Sequence, residues 1–460
     1  MSDEATLDDF LDGLESVPES SIKSSLDETA VGDIPSDWKV TRLGDIALER
    51  EYGLTESAEE YDPDKPRYIR TQDFDDFGGL KDDSLASLSW DKAEGGLLEE
   101  GDMLFARSGS VGASLGKIYL YDPDHGPCCY GGYSIRHRLQ EEGLNHQYIE
   151  QFALSERYWD WIRRRAKTTA QSNINTGEYG SLPLPIPPLE EQRKIASVLH
   201  NVDQAIQKIE DVIKQIERIK AGTSHDLFHT GVGDDETKRA WMGEIPKTWE
   251  VNNFSTIVAR SQNGIYKEES EYGGKHPIIK MGDIFEGAIL ERPISQSVHL
   301  TDDNITKYGT QEGDLVFARH AQAGWGAGDC TYVPDLDVKA VVESNMVHVQ
   351  LDSGVIPLFY AQYFNSEMGV NSMKRIVTRG NIKSISQQDL LNLKVPIPPK
   401  KEQNEIANIL TNFDELVSKS EEELYELQQV KQALMQDLLS GDVRTTDAEI
   451  EVLPEVAQHG

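Results

Sequence analysis

Two short stretches of this chain carry cationic side chains in a pattern suited to a polyanion. RYWDWIRRRAKTTAQSNIN holds Arg157, Arg163, Arg164, Arg165 and Lys167 against one Asp, and MKRIVTRGNIKS holds Lys374, Arg375, Arg379 and Lys383 and no acid. Arg and Lys neutralise phosphates and position a protein on a nucleic acid. Arg, Gln and Asn can also form paired hydrogen bonds to base edges. Gln171, Asn173, Arg379 and Asn381 are therefore candidates for base contact, with a turn-forming role for the Asn residues as the alternative. Arg67, Arg70 and Lys280 make a second, weaker set of basic sites, while Arg107 and Arg319, in identical Phe-Ala-Arg contexts, read equally as structural residues or as contacts. A charge run alone usually marks a solvated helix face. Here the run recurs in both halves of the chain and reverses its sign locally, which favours DNA contact.

Catalytic patterns are missing by comparison. There is no GxxxxGK[ST] phosphate loop, no Asn-Pro-Pro-aromatic run of the kind used in amino-methyl transfer, and no HExxH or Cys/His metal spacing. Asp335, Asp337 and Lys339 stand too close together for a nuclease carboxylate–lysine set, and the first half has no equivalent. Gly109, Gly112, Gly131 and Gly132 read as turn glycines. No catalytic residue, metal site or cofactor is expected in this chain.

Asp and Glu number 80 against 45 Lys and Arg, a net charge of −35. Taken alone that opposes binding to a polyanion. Acid spread over the whole chain, with the cations clustered, also fits a halophilic source, where salt screens bulk charge within a few ångströms. The placement of the cations is then more informative than the total. No apolar run approaches the roughly 18–20 residues of a membrane span, and the acidic start MSDEATLDDF lacks the stages of a signal peptide. Three cysteines form no disulfide framework. These features predict a soluble cytoplasmic protein.

The elements that must position the basic stretches are duplicated. GDIPSDWKV at 32–40 returns as GEIPKTWEV at 243–251, 211 positions later, and LPIPPLEEQRKIASVL at 184–199 returns as VPIPPKKEQNEIANIL at 395–410 with the same offset. Between them EEGDMLFARSG matches QEGDLVFARHA, RYIRTQDF matches PIIKMGDI, and NIN matches NIK. The period is too long for a solenoid. It marks a duplicated domain followed by a duplicated connector. Each domain mixes short strands, turns and helical stretches. After each Pro-Pro pair, apolar residues recur at alternating spacings of four and three: Ile195, Leu199, Val202, Ile206, Ile209, Ile213 and Ile216, then Ile406, Leu410, Phe413, Val417, Leu424 and Leu427. That is a heptad seam on helices of about 33–40 residues, or about 50–60 Å. Pairing of the two helices within one chain, antiparallel, is favoured over dimerisation between chains. The expected organisation is an α+β protein with pseudo-twofold duplication. Its parts are an acidic, disordered N-terminal tail (1–30), a first mixed α/β domain (31–187), a connector helix (188–229), a linker (230–241), a second domain (242–398), a second connector helix (399–441) and an acidic C-terminal tail (442–460).

On GxIPxxWxV, the GDxxFAR block, the NI before the connector and the doubled PIPPxxEQxxI, the chain resembles the specificity subunits of type I restriction–modification enzymes over roughly residues 31–441. The resemblance implies two target recognition domains joined by two long antiparallel coiled-coil helices. It implies recognition of a bipartite double-stranded DNA target, and docking of two methyltransferase subunits, plus two motor-nuclease subunits in a restricting complex. S-adenosylmethionine, ATP and Mg would belong to those partners. The alternatives are a coiled-coil scaffold that binds only proteins, and a specificity subunit of a methylation-only complex. The second copy reads KKEQNEI where the first reads LEEQRKI, so the two docking surfaces need not be equivalent.

Overall fold

The computed structural model describes residues 26–29, 32–166, 172–233, 236–284, 287–290, 294–321, 326–378, 383–446 and 448–458. The chain divides into two compact units, Met1–Ile209 with Glu423–Gly460, and Glu210–Glu422. Each follows from the same set of sequence blocks.

In the first unit an antiparallel sheet is built from β1 (Ala47–Tyr52), β2 (Asp102–Ala106), β3 (Ile118–Leu120) and β4 (Ser134–Leu139), in the order β3-β2-β4-β1. The strand DMLFA is buried along its whole length, as a continuous apolar run at the centre of a sheet should be. Two helices pack with it, α1 (His146–Leu154) and α2 (Glu156–Arg165), N-capped by the side chains of Asn145 and Ser155. A second small sheet holds Cys128–Tyr130 parallel to Arg67–Ile69. The second unit repeats the plan with β5 (Val258–Asn263), β6 (Leu315–Ala318), β7 (Cys330–Tyr332) and β8 (Met346–Leu351), in the order β7-β6-β8-β5, and with helices α4 (Pro357–Asn365) and α5 (Glu367–Met373).

The motifs at the two ends of each domain meet in space. The strand Pro183–Ile186 pairs antiparallel with Lys39–Arg42, and Lys394–Ile397 pairs with Glu250–Asn253. Trp38 Nε1 donates to Glu191 Oε2 at 3.0 Å, and Trp249 Nε1 to Glu402 Oε2 at 2.9 Å. Gln192 and Gln403 are buried and each donates to the carbonyl of the first proline of its Pro-Pro pair, at 2.9 and 2.8 Å. The IPxxW and PIPPxxEQ blocks are thus two halves of one joint between domain and connector. The charged and amide side chains are needed there because polar atoms buried at a joint must find partners.

The connectors are α3 (Leu189–Thr230, 42 residues) and α6 (Lys400–Ser440, 41 residues), each about 60 Å long. Within the first unit Val202 and Ile206 of α3 pack with Leu427 of α6, flanked by Leu424 and Leu434. Lys431 Nζ lies 2.5 Å from Asp203 Oδ1. Within the second unit Lys220 pairs with Asp414. Early residues of one helix meet late residues of the other in each unit, so the pairing is antiparallel. Ile195 and Leu199 are fully buried in the first unit's core beside Leu438 and Leu439, and Ile406 and Leu410 in the second unit's core beside Leu227 and Phe228. The start of each heptad seam therefore doubles as domain core, while Phe413 and Val417 are half-buried.

Both expected tails contain structure. Leu26–Thr29 pairs with Gly32–Pro35 as an antiparallel hairpin, which Thr237–Arg239 and Glu244–Pro246 repeat in the second unit. Residues 1–25 lie outside the described residues. The segment after 441 is docked on the first unit. Arg444 bridges Glu191 and Asp37 at 2.7 and 2.6 Å, Val456 is fully buried, and Asn145 Nδ2 donates to its carbonyl at 2.8 Å. An acidic composition read as a solvated tail; its few apolar and basic residues are the ones that find partners.

Candidate nucleic-acid interface

The GDxxFAR block organises one end of each sheet. Its Asp is structural. Asp102 is buried, accepts from the Glu99 N–H at 2.8 Å and pairs with Arg138 at 2.8 Å; Asp314 is buried, accepts from the Gln311 N–H at 2.9 Å and pairs with His348 at 2.6 Å. The Arg closes the strand. The Arg107 N–H donates to the Tyr133 carbonyl at 2.9 Å, its carbonyl accepts from the Ile174 N–H at 2.9 Å, and its Nε donates to the Gly132 carbonyl at 2.9 Å. The guanidinium stacks 4.9 Å above the Tyr52 ring. Hydrogen bonding from Thr176, then the Arg107 charge, lower the pKa of the Tyr52 phenol. In the second unit the Arg319 N–H donates to the Asn345 carbonyl at 3.0 Å and its carbonyl accepts from the Ile385 N–H at 2.9 Å. Arg319 Nε is buried with no partner among the described residues.

Just beyond that Arg the chain pairs with the segment at Asn173-Ile174 in the first unit and at Ser384-Ile385 in the second, three residues past the Asn381-Ile382 that the sequence comparison matched. Ser108–Gly109 runs antiparallel to Ser172–Asn173, and His320–Ala321 to Lys383–Ser384. Asn173 is exposed on this pair, and Lys383 is half-buried on its counterpart. Asn175 accepts from the Glu178 N–H and caps the next helix. Lys167, Gln171, Arg379 and Asn381 fall outside the described residues.

The basic stretch of the first unit forms the last turn of α2, where cations also oppose the helix dipole. Arg163 bonds Glu156 and Asp160, which holds the Asp160 carboxyl below its usual range. Arg164 is highly exposed, 3.9 Å from Asp160, and Arg165 lies 4.9 Å above the Trp161 ring. In the second unit Lys374 and Arg375 are exposed after α5 (Glu367–Met373). Arg375 stacks 4.4 Å from the Trp241 ring and donates to the Trp241 carbonyl at 2.6 Å.

The weaker basic set is occupied locally. Arg67 bonds the Lys81 carbonyl and Asp82, and Arg70 bonds Asp73 through Nε and Nη2 at 3.0 and 2.8 Å. Lys280 rests 4.3 Å from the Tyr272 ring, and its N–H, like that of Arg70, donates to an Asp three residues on. What sequence reasoning did not find is the cluster around Arg107 and Arg319. The matched Phe-Ala-Arg contexts were visible, but nothing local shows which exposed side chains gather there.

Residues 35–218 and 246–429 both match the family description "Type I restriction modification DNA specificity domain". The chain belongs to that family. It is a specificity subunit with two target recognition domains, a DNA-recognition component of a restriction–modification complex and not an enzyme. It is 25% identical over 429 residues to the type I restriction enzyme MjaVIII specificity subunit of Methanocaldococcus jannaschii, covering 89% of this chain and 94% of that one. It is 25% identical over 264 residues to the EcoKI specificity subunit of Escherichia coli K12, covering 56% of each. The crystal structure of the type I restriction–modification system S subunit from M. genitalium shares the fold, with a TM-score of 0.56 at 16% identity over 87% of this chain and 96% of that one. Among the described residues of the specificity chain, no helix is long and apolar enough to cross a membrane.

Proposed function

We propose that this specificity subunit reads a bipartite DNA sequence in the cytoplasm and positions methyltransferase subunits on it. Residues 31–187 read one half-site and 242–398 the other, with an unread spacer between. In a restricting complex, motor-nuclease subunits join the assembly. S-adenosylmethionine, ATP and Mg serve the partner subunits. The observation that carries this reading is the repetition of one scaffold with different exposed residues on it. Two readers of one kind, carrying different side chains, are what a two-part asymmetric target requires. The basic ends, Arg163, Arg164 and Arg165 in one unit and Lys374, Arg375 and Lys383 in the other, supply phosphate contacts, as do Lys167 and Arg379. Gln171, Asn173 and Asn381 face bases. Arg67, Arg70 and Lys280 contribute less, given their local partners.

The test is competition binding by the complex with its methyltransferase subunit. One DNA sequence should bind at least about 10³-fold tighter than random duplex; equal binding to all sequences would leave a protein-only scaffold. Changing Arg163, Arg164 and Arg165 together to Ala should weaken binding and lower the slope of log affinity against log salt by up to about 2–3. An unchanged slope would return this cluster to a solvated helix face.

A further inference from the structure

The matched strand registers of the two units are two solutions built on one frame. Gly53 and Gly264 follow β1 and β5, and both must be glycine. A Cβ on Gly53 would stand 2.3 Å from the Gly131 carbonyl oxygen, and one on Gly264 2.1 Å from that of Glu343. The bridges Leu54–Gly131 and Ile265–Glu343 are the same contact in each copy. Arg107 and Arg319 hold the same three segments together, as described above. The backbone at this end of the sheet is therefore common to both units.

The side chains mounted on it are not. The last residue of the edge strand is Tyr52 in one unit and Asn263 in the other. The residue after the Arg is Ser108 or His320, and its cross-strand neighbour is Asn173 or Ser384. The residue whose carbonyl holds the Arg N–H is Tyr133 or Asn345. Tyr52 and Tyr133 are 51% and 67% exposed, and Asn173, Asn263 and Asn345 are exposed too. None of the eight is acidic, on a chain with 80 Asp and Glu. All can donate and accept hydrogen bonds, and the Tyr and His rings can also stack. Ser108, His320 and Ser384 are half-buried beside them, so all eight border solvent on a frame that both units share.

We infer that these four matched positions determine base specificity: Tyr52, Ser108, Tyr133 and Asn173 for one half-site, and Asn263, His320, Asn345 and Ser384 for the other. This rests on the bipartite reading above. The phosphate-binding helix ends set affinity; the eight side chains set which bases are accepted.

The experiment uses the full chain assembled with its methyltransferase subunits, and reads the methylated motif by sequencing modified DNA. The unit-one positions are exchanged for those of unit two as Tyr52→Asn, Ser108→His, Tyr133→Asn and Asn173→Ser. Because Tyr52 stacks on Arg107, a double variant, Tyr133→Asn with Asn173→Ser, keeps the test valid if the fourfold variant fails to fold. Discrimination at one or more base pairs of a single half-site should change by about 5- to 150-fold, with the other half-site untouched. Retention of the wild-type motif by the double variant overturns the inference, and so does a change in both half-sites. A wild-type motif without two parts would overturn the bipartite reading itself, before any variant is made.

Discussion

His137 shows how a single side chain in this fold couples to pH. It lies in β4 opposite Met103, and its counterpart in the second unit, opposite Leu315, is Val349. The ring is fully buried, and neither nitrogen has a hydrogen-bond partner among the described residues. Burial, with the Arg50 charge second, holds its pKa down to about 3 from the ordinary 6.5. The folded state therefore binds this proton less readily than the unfolded chain, so stability is intact above the unfolded pKa and lost as pH falls from about 6.5 toward 3. At pH 5 the expected loss is roughly 2 kcal/mol. His137→Val, which installs the second unit's own residue, should remove that share of the pH dependence in thermal melts at pH 5 and 7.5. Identical pH slopes for variant and wild type would contradict the assignment. Little of this was legible in the sequence. HRL in a strand shows a period of two but not which face is sealed. The basic clusters were legible as charge, whereas the acids and rings that engage Arg163, Arg165 and Arg375 were visible only in part, because Trp241 is far from Arg375 along the chain.

At the scale of elements, the antiparallel connectors are pinned by a repeated polar joint. Asp203 accepts from Gln151 at 2.8 Å and pairs with Lys431; Asp414 accepts from Gln362 at 2.6 Å and pairs with Lys220. Each residue of one set stands 211 positions from its counterpart in the other. Apolar seams tolerate sliding by a heptad. A half-buried ion pair meeting an amide does not, since a slip would strand the charges. Double-mutant cycles to Ala on each Asp–Lys pair should give coupling energies of about 1 kcal/mol, larger for Asp203–Lys431, whose lysine side chain is only 9% exposed. Coupling below about 0.3 kcal/mol would mean that the apolar seam alone sets the register. The heptads themselves were readable, because a period of 3.5 is written locally. The partner of each Asp was not, because it lies some two hundred residues away on a face that reads as solvated.

At the scale of the whole molecule, the duplication accounts for most of what the chain's sequence made visible. Blocks repeated with almost constant offset turn out to be joints: Trp38 with Glu191, Trp249 with Glu402, Asp102 and Asp314 in their sheets. Matching residues across copies marked scaffold well, but matching is blind to base contacts of the kind proposed above, which differ between copies. The C-terminal segment shows the opposite failure, as composition hid a docked element held by Arg444 and Val456. The central claim is that the two units read separate half-sites. Its most direct test replaces residues 31–187 with the corresponding domain of another specificity subunit, assembles the complex with methyltransferase, and determines the methylated motif by sequencing. Only one half of a two-part motif should change, with the other half intact. A motif altered in both halves, or one that was never divided by a spacer, would contradict the account.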